Sequence, residues 1–161
     1  WDTAMSREEL AGLGARLGAD VPVFVRGRSA WAEGTGDRLT PLDLPARWFL
    51  VIHPGVAVPT AEIFSAAELT RNSTPITISR FLSAGGRNDC VPVVRNRYAE
   101  VGQALDWLGR RGEARLTGTG ACVFATFEEE RHARAVLEEL PVKWRGFVAR
   151  GLNRSPLLDT V

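Results

Sequence analysis

The segment Leu17-Gly18-Ala19-Asp20-Val21-Pro22-Val23-Phe24 decides how the first part of the chain is organised. Gly18 is the residue type that tolerates the left-handed turn closing a helix, and Pro22 disfavours helical geometry at the residue before it. The segment therefore predicts the end of a helix followed by an apolar strand, with Asp20 between them. A carboxylate just past a helix end gains nothing from the helix dipole, which suggests a role other than helix stability. A turn aspartate that bonds its own backbone is the alternative, and on the residues alone it is the more frequent case.

Two elements flank this segment. Ser6 and Glu9 have the spacing of a capping box, which predicts a helix over residues 6–17. On the other side, two short apolar runs around a turn containing Gly27 predict a β-hairpin over residues 20–34.

The chain is predicted to divide near residue 45, where two prolines bracket a short extended link. Residues 1–44 hold too little apolar surface for a core of their own, so the hairpin is expected to complete a sheet whose other strands lie upstream of Trp1. We therefore expect residues 1–44 to be the end of an N-terminal domain that is otherwise missing, and residues 45–161 to form a second domain.

The second domain has the predicted element order β-α-β-β-α-β. The six elements are a strand at residues 48–52, one long helix capped by Asn88 or Asp89 and ending at Gly112, strands at 113–117 and 122–127, a helix ending at Pro141, and a strand at 146–150. A further short helix is predicted from residue 60 to about 69, before the long one. This order predicts an α+β fold of the ferredoxin-like split β-α-β type, with helices on one face of an antiparallel sheet.

The composition excludes several classes of function. The 20 basic and 19 acidic side chains leave a net charge of +1, which provides no general attraction for nucleic acid or an anionic membrane. The chain contains no apolar run of membrane-spanning length and no signal peptide, and two cysteines make no disulfide framework, so we expect a cytoplasmic protein. The cysteines and the two histidines lack the spacing of metal ligands, so no metal site is expected.

One glycine motif is a candidate for ligand binding. In Leu116-Thr117-Gly118-Thr119-Gly120-Ala121, backbone amides could face an anion or a substrate. A plain hairpin turn is the alternative, and it is the more frequent one on spacing alone. The sequence has no G-x-x-x-x-G-K-[ST] motif and no G-x-G-x-x-G opening a helix, so the residues by themselves predict no nucleotide-binding loop.

Taken together, these stretches resemble the GHMP kinase superfamily of small-molecule kinases. The stretches that carry the resemblance are Leu17 to Phe24, Ala32-Glu33-Gly34, His53-Pro54-Gly55, Pro59-Thr60 with Ile63-Phe64, Asn88-Asp89, Leu116 to Ala125, and Gly151 with Ser155-Pro156-Leu157. They extend over nearly the whole chain in the family's order, which is far more specific than one glycine pair. The resemblance is to the C-terminal part of those members that act on a cytidine-diphosphate-linked methylerythritol. It implies that residues 45–161 are a GHMP kinase C-terminal domain.

The resemblance implies transfer of the ATP γ-phosphoryl group to the 2-hydroxyl of that compound, in the bacterial and plastid route to isoprenoid precursors. Asp20 matches the family's catalytic aspartate. Further positions match residues with which the family binds its substrate: Thr60, Phe64, Gly118, Thr119, Gly120 and Ala121. The ring of Phe64 is implied to help hold the cytosine. Ala61 stands where relatives often have proline, which implies a looser wall of the cytosine pocket.

ATP and its counter-ion Mg²⁺ are the implied cofactors. The family's phosphate loop and catalytic lysine match nothing in this chain, in which Lys143 is the one lysine, so ATP is expected to be bound mainly by the missing N-terminal part. We therefore expect the 161 residues alone to be inactive as a kinase. No nucleic acid and no membrane are expected as partners.

Two other interpretations stay open at this point. One is a non-catalytic ferredoxin-like module that binds a small ligand, because fold alone does not decide function. The other is a GHMP kinase that phosphorylates a different small molecule. Binding of a cytidine diphosphate compound in preference to mevalonate or homoserine would separate these interpretations.

Overall fold

A computed structural model of the chain describes residues 4–159. The chain forms two compact units, one of residues up to Ala46 together with those from Leu152, and one of residues Arg47–Gly151. Further strands are predicted upstream of Trp1, and Trp1 itself lies outside the described residues. The assignment of residues 1–44 and 45–161 to two kinase domains stays a prediction, and the segment from Leu152 groups structurally with the first unit.

The first unit contains two helices, a hairpin and a terminal 3-10 helix. They are α1 (Arg7–Ala15), α2 (Val21–Arg26), β1 (Ala30–Glu33), β2 (Arg38–Pro41) and the 3-10 helix Pro156–Asp159. The predicted capping box at the start of α1 is confirmed, because the Glu9 amide donates to Ser6 Oγ at 3.2 Å and the Ser6 amide donates to the Glu9 carboxylate at 2.7 Å. Strands β1 and β2 pair antiparallel, with Ala30 opposite Pro41.

The prediction of a strand after Asp20 is wrong, and so is the prediction of a hairpin over residues 20–34. Val21–Arg26 is a helix, and the hairpin consists of β1 and β2 instead. Pro22 lies in the first turn of α2, where a missing amide proton and a fixed φ are tolerated. Gly27 closes the helix in the left-handed conformation at φ +63°, with its amide donating to the Val23 carbonyl at 2.9 Å. The glycine in the left-handed conformation that closes a helix is therefore Gly27, at the end of α2, and not Gly18.

The second unit confirms the predicted fold class. Its elements are β3 (Trp48–His53), α3 (Thr60–Ser65), α4 (Ile78–Ala84), α5 (Cys90–Arg97), α6 (Ala99–Gly109), β4 (Arg115–Leu116), β5 (Val123–Phe127), α7 (Glu130–Glu138) and β6 (Arg145–Arg150). The four strands form a sheet in the order β4-β5-β3-β6 with every pair antiparallel. In the middle of the sheet, Leu50 lies opposite Ala125 on one side and Val148 on the other. This is the ferredoxin-like α+β arrangement.

The single long helix predicted between residues 89 and 112 is wrong, because the helix breaks at Tyr98. There the backbone takes φ −128° and ψ 87°, ending α5 and starting α6. The Tyr98 hydroxyl donates to the Glu62 carboxylate on α3 at 2.7 Å, and this bond raises the pKa of Tyr98. A contact with another helix therefore accompanies the break, while the apolar spacing continues across it.

The core lies in the second unit. Its largest completely buried side chains come from β3, β5 and three of the helices: Leu50, Ile52, Ile63, Val93, Val94, Val101, Leu108 and Val123. Ile63 is the member of this core that anchors α3. Within residues 4–159, no helix is long and apolar enough to cross a membrane.

Candidate functional site

The glycine motif forms the tight connection between β4 and β5. The Thr117 amide donates to the Cys122 carbonyl at 3.1 Å, and the Gly120 amide donates to the Thr117 carbonyl at 2.9 Å. Gly118 has φ +54° and Gly120 has φ +91°, a region that favours glycine. A Cβ at Gly118 would meet no atom within 4 Å, so the backbone there faces open space. The loop can therefore let another molecule approach its backbone closely.

A hydrogen bond between two threonines joins this loop to α3. The Thr60 and Thr119 hydroxyl oxygens are 3.0 Å apart, and either can donate the shared proton. Thr119 is only 7% exposed, which leaves its hydroxyl little freedom to turn to other partners. The structure thus brings together two residues that the sequence predicts for substrate binding.

Phe64 presents an exposed aromatic ring on α3. It lies four residues after Thr60, a spacing that places two side chains on the same helix face. The Phe64 residue is 58% exposed, whereas its neighbour Ile63 is completely buried. Burial of Ile63 therefore fixes which face of α3 carries Phe64 to the surface. Ala61, at the position where a looser pocket wall is predicted, is exposed on the same helix.

Asn88 supports the glycine loop, a role that the sequence analysis missed. Its amide nitrogen donates to the Leu116 carbonyl at 3.1 Å and to the Gly118 carbonyl at 2.8 Å, and its oxygen accepts from the Cys90 amide at 2.9 Å. The sequence shows Asn88 only as a candidate helix cap. Its bond to Cys90 matches that local role, but nothing in the sequence identifies loop carbonyls 28 and 30 residues away as partners.

Substitution of Asn88 by Asp is expected to lower the free energy of unfolding by about 1–3 kcal/mol. The carboxylate can still accept from the Cys90 amide, but it cannot donate to the two loop carbonyls and places a negative charge against them. Urea denaturation measures the change. Asn96→Asp at an exposed position of α5 is the matched control and should stay within about 0.5 kcal/mol of the wild type. Equal stability of the two variants would contradict this role of Asn88.

Asp20 is exposed at the junction of α1 and α2. Its backbone is helical, at φ −87° and ψ −12°, and its side chain does not cap α2. Within residues 4–159 the carboxylate makes no hydrogen bond or ion pair, so the turn aspartate that bonds its own backbone is not observed there. Asp20 lies not only past the end of α1 but also directly before the first residue of α2, where the helix dipole favours a carboxylate. The expectation that Asp20 gains nothing from a helix dipole is therefore wrong.

The turn of the β1–β2 hairpin packs against the residue before Asp20. Gly36 has φ +93°, and a Cβ at this position would lie 2.7 Å from the Ala19 carbonyl oxygen. The turn itself is held by Asp37, whose carboxylate accepts from the Thr35 amide and the Thr35 hydroxyl, both at 3.1 Å. A hydrogen bond from its own backbone lowers the pKa of Asp37, and the two bonds from Thr35 lower it further. The backbone that carries Asp20 therefore lies against a turn that is held by side-chain hydrogen bonds.

The described part of the chain offers no metal centre. Among residues 4–159, no three His, Cys, Asp or Glu side chains come close enough to hold a metal ion together. Cys122, which follows the glycine loop, is a free thiol whose pKa is raised by burial. It therefore stays protonated at neutral pH and is a weak nucleophile.

The predicted site residues divide between the two units. Those in the second unit lie on α3 and in the glycine loop: Thr60, Phe64, Gly118, Thr119, Gly120 and Ala121. Asp20 lies in the first unit. The second unit thus contains a polar contact, an open stretch of backbone and an exposed ring, and the first unit contains an exposed carboxylate.

Several known proteins are similar to this chain over nearly its whole length. It is 61% identical over 158 residues to the 4-diphosphocytidyl-2-C-methyl-D-erythritol kinase of Alkalilimnicola ehrlichii, covering 98% of this chain and 54% of that kinase. The kinase of the same name from Halorhodospira halophila is 56% identical over 160 residues, covering 98% of this chain and 56% of the relative. The chain therefore spans about half the length of these curated relatives.

A solved structure and a family description agree with these relatives. The crystal structure of 4-(cytidine 5'-diphospho)-2C-methyl-D-erythritol kinase matches with a TM-score of 0.75 and 29% identity, covering 88% of this chain and 56% of that one. Residues 66–146 match the family described as GHMP kinases C terminal. The chain therefore belongs to the GHMP kinase family, and the matching segment is that family's C-terminal domain.

Proposed function

We propose that this chain is part of a kinase that transfers the ATP γ-phosphoryl group to the 2-hydroxyl of 4-diphosphocytidyl-2-C-methyl-D-erythritol, in the non-mevalonate route to isoprenoid precursors. The observation that carries the proposal is the 61% identity to a kinase named for this substrate, over 98% of the chain. On this proposal the reaction takes place in the cytoplasm, and the partners of the protein are the two small-molecule substrates.

Asp20 is proposed as the group that orients and deprotonates the acceptor hydroxyl. In phosphoryl transfer the protein mainly positions the reacting groups and offsets charge, and a carboxylate can take the hydroxyl proton as the new O–P bond forms. Such a carboxylate must be accessible and uncommitted. The exposure of Asp20 and its lack of partners within residues 4–159 support this role.

The second unit is proposed to hold the cytidine substrate. An exposed aromatic ring such as that of Phe64 can stack against a nucleobase, an interaction available to every base because each has a π-face. Thr60, on the same helix as this ring, supplies a hydroxyl group that the buried Thr119 holds in place, and the open backbone at Gly118 supplies room for close approach. Ala121, the last residue of the glycine motif, is buried.

ATP is proposed as the phosphoryl donor, bound mainly by residues outside this chain, with Mg²⁺ as its counter-ion. The described residues contain no cluster of metal ligands, so none of them is proposed to bind Mg²⁺. The chain's own part in the reaction is to bind and orient the acceptor. On this proposal the 161 residues alone should release no ADP from ATP, which a coupled assay on material of confirmed mass can check.

Substitution of Phe64 by Ala in the complete enzyme tests the proposed substrate. Loss of stacking should weaken binding of the cytidine compound by about 1–3 kcal/mol, measured by calorimetry. Phe147→Ala is the matched control, because Phe147 is also 58% exposed but lies on β6. Equal affinity of the Phe64 and Phe147 variants would contradict the cytosine contact. Phosphorylation of mevalonate or homoserine in preference to the cytidine compound would favour another GHMP kinase, and binding without any phosphorylation would favour a non-catalytic module.

A further inference from the structure

Arg71 closes the C-terminal end of α3. Its guanidinium donates to three backbone carbonyl oxygens: that of Phe64 at 2.6 Å, that of Ala66 at 3.1 Å and that of Leu69 at 3.0 Å. The last carbonyls of a helix have no partner inside the helix, so another group must satisfy them. Arg71 therefore satisfies carbonyls at and just beyond the end of the helix that carries Phe64.

The arrangement commits a charged side chain to neutral acceptors. Within residues 4–159 Arg71 forms no ion pair, and the hydrogen bonds of its guanidinium all go to these carbonyls. The planar guanidinium holds its donors in a fixed fork, so the bonds restrain the backbone in direction as well as in distance. A lysine has no such fork. The choice of arginine therefore matters for the geometry of the helix end.

Helix α3 depends on contacts outside itself. It has six residues, and a helix this short is not stable in isolation. Its interior anchor is Ile63, which is completely buried. Glu62 holds the helix laterally by accepting from the Tyr98 hydroxyl. Arg71 adds the restraint at the C-terminal end, and it does so directly on the backbone carbonyl of Phe64.

We infer that Arg71 is a positioning residue for Phe64, fixing the backbone beneath the exposed ring so that the ring is presented to its ligand in one orientation. The identity of that ligand as a cytidine rests on the proposed function. Arg71 is not required to touch the substrate. It lowers the cost of binding, because a ring that is already held loses less freedom when a base stacks on it.

Kinetics of Arg71→Met in the complete enzyme test this inference. The substitution removes all the donors and keeps the length of the apolar stem. We expect KM for the cytidine substrate to rise about three- to tenfold, with kcat changed by less than about twofold, because only preorganisation of binding is lost. Arg71→Lys should recover part of the loss. Arg80→Met is the matched control, because the exposed Arg80 side chain makes no bond within residues 4–159, and its KM should not change.

A double-mutant cycle with Phe64→Ala identifies the route of the effect. If Arg71 acts through the ring, the rise in KM caused by Arg71→Met should disappear when Phe64 is already Ala. An undiminished rise in that background would overturn the inference, because it would show a general structural effect. A large effect of Phe64→Ala with none from Arg71→Met would also overturn it, while leaving the proposed function in place.

Hydrogen exchange tests the anchoring without any substrate. The Ala66 amide donates to the Ile63 carbonyl at 3.2 Å at the end of α3. We expect this amide to exchange about tenfold faster in the Arg71→Met variant than in the wild type, and at the wild-type rate in the Arg80→Met variant. Unchanged exchange would overturn the inference whatever the substrate is. Faster exchange in an enzyme that neither binds nor phosphorylates the cytidine compound would support the anchoring of α3 by Arg71 and contradict the proposed function.

Discussion

Replacement of Asp20 by Asn in the complete enzyme is expected to lower kcat by about 10²- to 10⁴-fold while changing KM for the acceptor by less than about threefold. The amide has nearly the shape of the carboxylate and can still accept a hydrogen bond from the substrate hydroxyl, so binding should persist. It cannot take the proton. Steady-state kinetics with the cytidine compound as the varied substrate measure both parameters.

The control for Asp20 is Asp43→Asn, which should keep wild-type kinetics. Asp43 is also an exposed aspartate of the first unit and has no partner within residues 4–159. If Asp20 served only the local turn, Asn would replace it with little loss, because asparagine supports the same turns. Wild-type turnover in Asp20→Asn would therefore remove the catalytic assignment.

Replacement of Ile63 by Ala is expected to lower the free energy of unfolding by about 2–5 kcal/mol. Ile63 is completely buried in the core of the second unit, so truncation both removes apolar contacts and leaves a cavity. Ile63→Val should cost only about 0.5–1.5 kcal/mol. Denaturation with guanidinium chloride, followed by circular dichroism, measures the series.

The surface control for Ile63 is Val142→Ala. Val142 has a relative exposure of 104%, so its truncation should leave stability within about 0.5 kcal/mol of the wild type. A loss of less than about 1 kcal/mol in Ile63→Ala would show that α3 is not anchored through this residue. The substitution should also weaken substrate binding, because Thr60 and Phe64 lie on the same short helix.

The elements that local spacing defines could be predicted from the sequence. The capping box of Ser6 and Glu9 is set by neighbours in the chain, and so is the order of the four strands after residue 46. The segment Val21–Arg26 could not be predicted in this way, because a short valine-rich run has the same apolar pattern as a strand or as a helix turn. The left-handed conformation of Gly27 and the position of Pro22 in the first turn favour a helix over a strand in this segment. The helix break at Tyr98 could not be predicted either, because the apolar period continues across the break.

Site residues could be predicted from the sequence where the residue type itself is diagnostic. Residues that hold the site in place through partners far away in the sequence could not. Asp20 and the glycine motif are candidates from the residues alone, whereas Thr60 and Phe64 follow from the family resemblance, and the roles of all of them stay predictions. The supports Asn88 and Arg71 were missed as such, because their partners are backbone carbonyls, which every residue carries. Only the folded chain shows which carbonyls these side chains reach.

The contact between Gly36 and Ala19 has a consequence for protein engineering. The tip of a surface hairpin is ordinarily a favoured place for inserting a peptide tag or a fluorescent reporter. In this chain a single added carbon at Gly36 would already lie 2.7 Å from the Ala19 carbonyl oxygen. An insertion there would push directly on the peptide unit that precedes Asp20. A reporter is better placed near Val142, whose side chain is fully open to solvent.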